Sequence, residues 1–331
     1  MKTRFVQDGL SAAQEMGVFI GDDGTPMRLD TGETAFFERQ LEAVEQRLYE
    51  KKLRELKYRR HIPVSNADGP GAASITYYLY TKTGMAKIIA NPSDDLPRAD
   101  VYASRHTAMV HSVGTSFGYS TRELRHAQFA NVPLEMQKAD SARRTIRERE
   151  NEIAWTGDAN YNIFGFLNNP NIPVQEMPLN AGATSRTWAN KTPNEIIADV
   201  RLLVSGIRQT TNGVHEGNTM LLPIEQYDII AETPRSDLSD TTILEFLTKP
   251  GNSFGLNEID WLTELKGAGV GGTDMIAVYE KDPEVLEARI PMEMQNLPPQ
   301  ARNLEFLVPV EAENAGVVVR YPLACSFGYG I

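Results

Sequence analysis

The sequence predicts an α+β fold, on three observations. Residues 75–80 and 101–119 are dense in β-branched and aromatic side chains, which favour strands. One uninterrupted helical stripe begins at Leu134. From Thr192 onward, helical and strand-like stretches alternate at short spacing. The 331 residues, 41% apolar and 23% charged, have ordinary globular composition. They exclude a disordered chain, a fibre and a coiled coil, and they suffice for about two domains.

Residues 1–32 show no sustained period and read as an extended arm. From Thr34 to about Arg60, Phe37, Leu41, Val44, Leu48 and Leu56 recur at helical spacing. The second half of that stretch carries Arg47, Lys51, Lys52, Arg54, Lys57, Arg59 and Arg60 against Glu50 and Glu55. Such a run is either a solvated helix face or a patch turned toward a polyanion.

The β-rich region reads as one long hairpin, with strands near 74–90 and 101–119. The polar stretch from Asn91 to Arg98, with Pro92 and Pro97, supplies the turn. A two-stranded ribbon alone is marginal in water, and its edges offer unpaired backbone groups. Yet Ile75, Tyr77, Leu79, Met85, Ile88, Met109 and Val110 need cover. The ribbon therefore folds back on its own domain or lies on another copy of the chain.

The clearest helix follows. Asn131 suits the N-cap, Pro133 the first turn and Glu135 the helix dipole. Leu134, Met136, Ala139, Ala142, Ile146, Ile153 and Trp155 form the stripe, and Gly157 marks the stop. About 24 residues at ~1.5 Å each give ~36 Å, enough to brace a whole molecule. A Gly/Asn/Pro-rich loop leads to the capping-box sequence Thr192-Pro193-Asn194-Glu195. After that helix, a strand is predicted at 220–222, helices at 224–232 and 242–247, and strands near 257–262 and 274–280. The tail returns to strands near 285–294, 304–311 and 316–328.

Charge is unevenly placed. Residues 1–60 carry 11 basic and 11 acidic groups and residues 61–190 carry 12 and 12, but residues 191–315 carry 9 and 21. Nearly all of the net −11 therefore sits on one stretch, which reads as a lobe with a wet, anionic face. An acidic chain argues against a dedicated nucleic-acid binder. Cys325 stands alone, so no internal disulfide staples the fold, and it reads as a buried small hydrophobe. The amino terminus has no apolar core of signal-peptide length, and no stretch reaches the ~18 apolar residues of a membrane span.

Catalytic signals are missing. Gly267-Ala268-Gly269-Val270-Gly271-Gly272 satisfies G-x-G-x-x-G formally, but a strand-like run follows it where a dinucleotide loop needs a helix. His61, His106, His111, His126 and His215 form no short metal pattern. No catalytic residue, cofactor or metal is expected.

The order of elements, together with one stretch, carries a resemblance. That stretch runs Phe117-Gly118-Tyr119-Ser120-Thr121-Arg122-Glu123-Leu124, Ala142-Arg143-Arg144, Glu150-Asn151-Glu152-Ile153-Ala154-Trp155-Thr156-Gly157-Asp158 and Gly165-Phe166-Leu167-Asn168-Asn169-Pro170. It resembles the major capsid proteins of tailed bacteriophages with the Hong-Kong-97-type fold, in a subfamily related to encapsulin shells. The resemblance implies an N-terminal arm and helix at 1–61 and an extended hairpin loop at 62–119. It implies a peripheral domain at 120–190 with a spine helix at 132–156, an axial domain at 191–284, and peripheral strands returning at 285–331. It implies an icosahedral shell of hexamers and pentamers of this chain around double-stranded DNA, assembled in the host cytoplasm and found in the virion. Scaffolding, portal and decoration proteins are the implied partners, and no membrane is. The hairpin residues named above would contact a neighbour. Lys51, Lys52, Arg54, Lys57, Arg59 and Arg60 would face the genome. An encapsulin-like cellular compartment shares the fold and is the alternative, and an unrecognised enzyme with a pocket beneath the 264–273 loop is the third reading.

Overall fold

The computed structural model describes residues 18–20, 26–28, 53–86, 98–130, 134–236 and 239–331. The chain forms two units, residues 1–54 and 55–331. In the first, β1 (Val18–Ile20) pairs antiparallel with β2 (Pro26–Arg28). The helix predicted from Thr34 lies outside the described residues as far as 52. Residues 53–57 are not helical, and a single turn, α1 (Tyr58–His61), follows. The three residues Lys57, Tyr58 and His61 are all buried, so this turn is held by packing on the rest of its unit. Pro63 then disfavours helical backbone at Ile62, which is extended.

After β3 (Val64–Ser65) comes the ribbon, β4 (Ser74–Thr83) paired antiparallel with β5 (Asp100–Met109). The second predicted strand is two strands. At Val110 the backbone leaves the ribbon, its N–H bonding Ala73 O at 3.1 Å, and β6 (His111–Ser120) pairs with β14 (Glu305–Asn314) over ten residues. The ribbon is accordingly shorter than 74–119, and most of the predicted turn at 91–98 lies outside the described residues.

Helix α2 (Thr121–Ala130) was not anticipated. Its signal is a capping box: the Ser120 N–H donates to Glu123 Oε2, and the Glu123 N–H donates to Ser120 Oγ, both at 3.1 Å. The long helix α3 (Leu134–Thr156) matches its stripe; the proposed cap residues 131–133 lie outside the described residues. Gly157 ends it at φ +68°, and a side chain there would collide with the Ile163 carbonyl. Ala142 and Ile146 of α3 pack on Val310 and Ala312 of β14.

The acidic stretch and parts of its flanks build one five-stranded sheet, ordered β7 (Val174–Glu176), β16 (Cys325–Tyr329), β10 (Met275–Tyr279), β8 (Thr219–Leu222) and β9 (Glu258–Trp261). Successive residues alternate between two cores. Met220, Leu222, Ile276 and Val278 meet helix α4 (Pro193–Thr210), helix α5 (Ile224–Glu232) and helix α6 (Ile243–Thr248). Leu221, Ala277, Tyr279 and Phe327 meet Trp155 and Phe166. The predicted capping box at Thr192 and Glu195 starts α4.

Prolines split two predicted tail strands. Residues 285–294 become β11 (Leu286–Arg289) and β12 (Met292–Asn296), parted at Pro291. Residues 316–328 become β15 (Val317–Val319) and β16, parted at Pro322, since proline cannot donate to a ladder. β13 (Gln300–Arg302) completes the sheet of β12, β14 and β6. Within the tail, β12, β13 and β14 join β6, whereas β16 lies inside the five-stranded sheet between β7 and β10. Cys325 is buried, as expected.

Candidate assembly surfaces

The ribbon has two unlike faces, set by the strand period of two. Ile75, Tyr77 and Leu79 share one face with Ala108, His106 and Ser104. At its base this face lies on the ribbon's own chain. Ile75 is buried, Tyr77 stacks on His106 at 5.3 Å, and Arg320 sits 6.0 Å from the Tyr77 ring. Ile75 is therefore spent within its own chain, and Tyr77, Leu79 and Val110 are half-buried, which corrects the picture of a stripe offered whole to a neighbour. The other face carries Tyr78, Tyr80, Val101 and Met109, exposed by 55, 67, 61 and 58%. Tyr102 and Met85 are also open to solvent, and Ile88 lies outside the described residues. Of the hairpin residues named from the sequence and described, only Met85 and Met109 are exposed; the sequence reading missed Tyr78, Tyr80 and Val101. Strict alternation from Ile75 assigns Tyr78 and Tyr80 to the opposite face and could have found them, whereas Val101 needs the register of β5.

An apolar groove of about 590 Å³ lies where β6, α2 and α3 meet, lined by Phe117, Tyr119, Leu124, Met136 and Val308 among others. Elsewhere on α2, Phe129 is 97% exposed. Large apolar side chains left open to water, such as Met136 and Phe129 at 68 and 97%, mark contact surfaces.

The basic run does not form one open patch. Lys51 and Lys52 lie outside the described residues, and Arg54 is exposed in the first unit. Lys57 is buried: its ammonium bonds Asp260 at 2.9 Å and the Trp261 carbonyl at 2.8 Å and lies 3.3 Å from the Trp261 ring centre. Arg59 grips Glu293 through two bonds of 2.9 Å. Arg60 pairs with Glu258 and Asp260 at 3.3 and 3.2 Å. Lys57 is thus removed from the genome-facing set, because its charge neutralises a carboxylate inside the protein, and Arg59 and Arg60 are committed to ion pairs.

This network contains the one metal-like cluster among the described residues, His61, Glu258 and Asp260, with ligand atoms within 4.8 Å. Lys57, Arg60 and Lys281 already neutralise both carboxylates, so charge opposes a further cation. Burial alone would raise the Asp260 carboxyl pKa, but Lys57, the Trp261 amide and Arg60 together hold it below the usual carboxylate range. Burial pushes the His61 imidazole down, and the neighbouring carboxylates only partly oppose this. The glycine-rich loop makes a short 3₁₀ turn (Val270–Gly272) and enters β10, so no helix start is present to hold a pyrophosphate.

A body with two filled cores, an aromatic ribbon left open on one face and an uncovered apolar groove define a subunit of a larger assembly. The chain belongs to the major capsid protein family, whose model matches residues 84–331. Among solved structures it resembles the capsid of Myoviridae phage XM1, with TM-score 0.75 and 19% identity over 88% of this chain and 98% of that one. It also resembles the capsid of the native GTA particle, at TM-score 0.65 and 12% identity over 91% and 99% of the two chains. A virus-like particle from Pyrococcus furiosus is similar at TM-score 0.50 and 13% identity over 81% and 90%. No curated protein sequence matches. The fold is the Hong-Kong-97-type capsid fold, and the protein is a structural one, a major capsid protein. In fold the phage XM1 and GTA capsids match more closely than the Pyrococcus particle.

Proposed function

We propose that this chain builds the icosahedral head of a tailed bacteriophage as hexamers and pentamers around double-stranded DNA, each ribbon laid over a neighbouring subunit. The exposed row Tyr78, Tyr80, Val101 and Met109 carries the reading, because its cost in water is removed only when another surface covers it. The groove lined by Phe117, Tyr119 and Met136 has the chemistry to receive it. A closed shell engages many such contacts at once, so a modest contact per pair gives a stable particle through avidity. In this reading residues 120–190 form the peripheral domain and residues 191–284 the core of the axial one. Scaffolding, portal and decoration proteins are the expected partners, and assembly takes place in the host cytoplasm. No helix among the described residues is long and apolar enough to cross a membrane.

Shortening the ribbon tests this. Leu79 and Ser104 are register partners, so residues 80–103 can be replaced by an Asn-Gly turn. The variant should remain folded by circular dichroism yet give no particles by electron microscopy. Normal particles from it would refute the ribbon's role.

A further inference from the structure

The long helix carries a second basic feature that the charge run at 47–60 overshadowed. A groove of about 430 Å³ opens between the segment leading into α1 and the middle of α3. Four guanidinium groups, Arg59, Arg143, Arg144 and Arg147, line it against two carboxylates, Glu55 and Asp140. The walls are fixed in advance. Tyr58 donates its hydroxyl proton to Glu150 of α3, Arg59 Nε donates to the Tyr58 hydroxyl at 2.7 Å, and Arg59 reaches Glu150 at 3.4 Å. Arg144 is held by Glu148 at 2.7 Å.

The remaining two arginines are differently placed. Arg143 is about half exposed and meets Asp140 only at 3.6 Å, a contact worth little in water. Arg147 is exposed, with no ion-pair partner among the described residues. They stand one helical turn apart, ~5–6 Å between side-chain bases, over a groove whose other cations are already immobilised. Planar guanidinium forks match phosphate oxygens two at a time. Successive phosphates of a strand rise ~3.4 Å along the duplex axis, so the pair can straddle neighbours on one strand.

We infer that this groove, through Arg143 and Arg147, is where the subunit holds the phosphate backbone of nucleic acid. The inference rests on the shell reading for its source of DNA, and it relocates the polyanion contact from the run at 51–60 to the long helix. Recognition is by charge and fork geometry and reads no base, as suits a surface that meets any packaged sequence.

The test is binding of a fluorescein-labelled DNA duplex of about 20 base pairs to the purified full-length chain across a salt series. The paired variant Arg143→Gln/Arg147→Gln should bind at least tenfold more weakly at the lowest salt, and its salt slope should fall by about two. Arg143→Lys/Arg147→Lys should keep most of the slope. The control Arg122→Gln/Arg302→Gln, which removes equal charge from exposed sites elsewhere, should behave as the parent. An unchanged slope in the first variant, an equal loss in the control, or no binding by the parent would overturn the inference. Displacement of the duplex by inorganic phosphate beyond that by matched chloride would make the groove a site for a small free anion, and would overturn it as well. Particles of the paired variant, seen by electron microscopy, keep this test separate from the shell reading: their formation leaves that reading standing whatever the binding result.

Discussion

The five-stranded sheet and the ribbon are built from similar residues and end in opposite states. Every residue of β8 and of β10 is buried, because α4 to α6 cover one face and Trp155 and Phe166 close the other. The ribbon pairs its two strands as regularly, yet Tyr78, Tyr80 and Val101 stay in water. The difference lies in what is placed opposite each strand. The sheet finds both of its covers within the chain, whereas the ribbon finds one, at its base. Strand propensity therefore makes a strand, and only the arrangement of layers decides whether it is finished within the subunit.

The contrast can be attacked from its strong side first. Trp155 is fully buried between His61 and Phe166, so Trp155→Ala should cost the free subunit about 3–5 kcal/mol in urea unfolding. A loss below ~1 kcal/mol would mean that the core beneath the sheet is loosely filled. Next, Lys57→Met leaves Asp260 without its buried cation and should cost about 3 kcal/mol, since a stranded buried charge is worse than none. Replacing Asp260 by Asn in the same chain should recover part of that loss.

Acid probes the same network more gently. The His61 imidazole is depressed in the fold, so protonation favours the unfolded chain, and stability should begin to fall as pH drops below ~6.5. Asp260 and Glu258 are held below the usual range, so their contribution persists above ~4 and is lost beneath it. Unfolding midpoints at pH 8, 6, 5 and 3.5 should show both stages, and His61→Gln should remove only the upper one. The smallest effect on the subunit belongs to the ribbon: Tyr80→Ala should move free-subunit stability by no more than ~0.5 kcal/mol while sharply lowering particle yield by light scattering.

Periodicity made much of this architecture readable in advance. The long helix announced itself through Ala142, Ile146, Ile153 and Trp155, and α4 through its capping box. Helix α2 was equally legible in Ser120 and Glu123, but the strand-like residues before it masked the cap. The break at Val110 was not legible, because nothing local distinguishes a strand that changes partner from one that continues. The basic run misled for a related reason. Lys57 lies at a helical spacing that suggests a wet face, and only the fold brings Asp260 and Trp261, some two hundred residues away, to receive it. The open face of the ribbon was within reach of simple alternation, whereas the arginine groove needed two distant segments to meet.

Hydrogen exchange measured on free subunits and on assembled particles separates the two regions. Amides of 76–82 and 101–107 should exchange within seconds to minutes in the free chain and slow markedly in the particle, while those of β8 and β10 stay slow in both. Equal exchange of the ribbon in the two states would show that no neighbour covers it, and the account of assembly given above would fail.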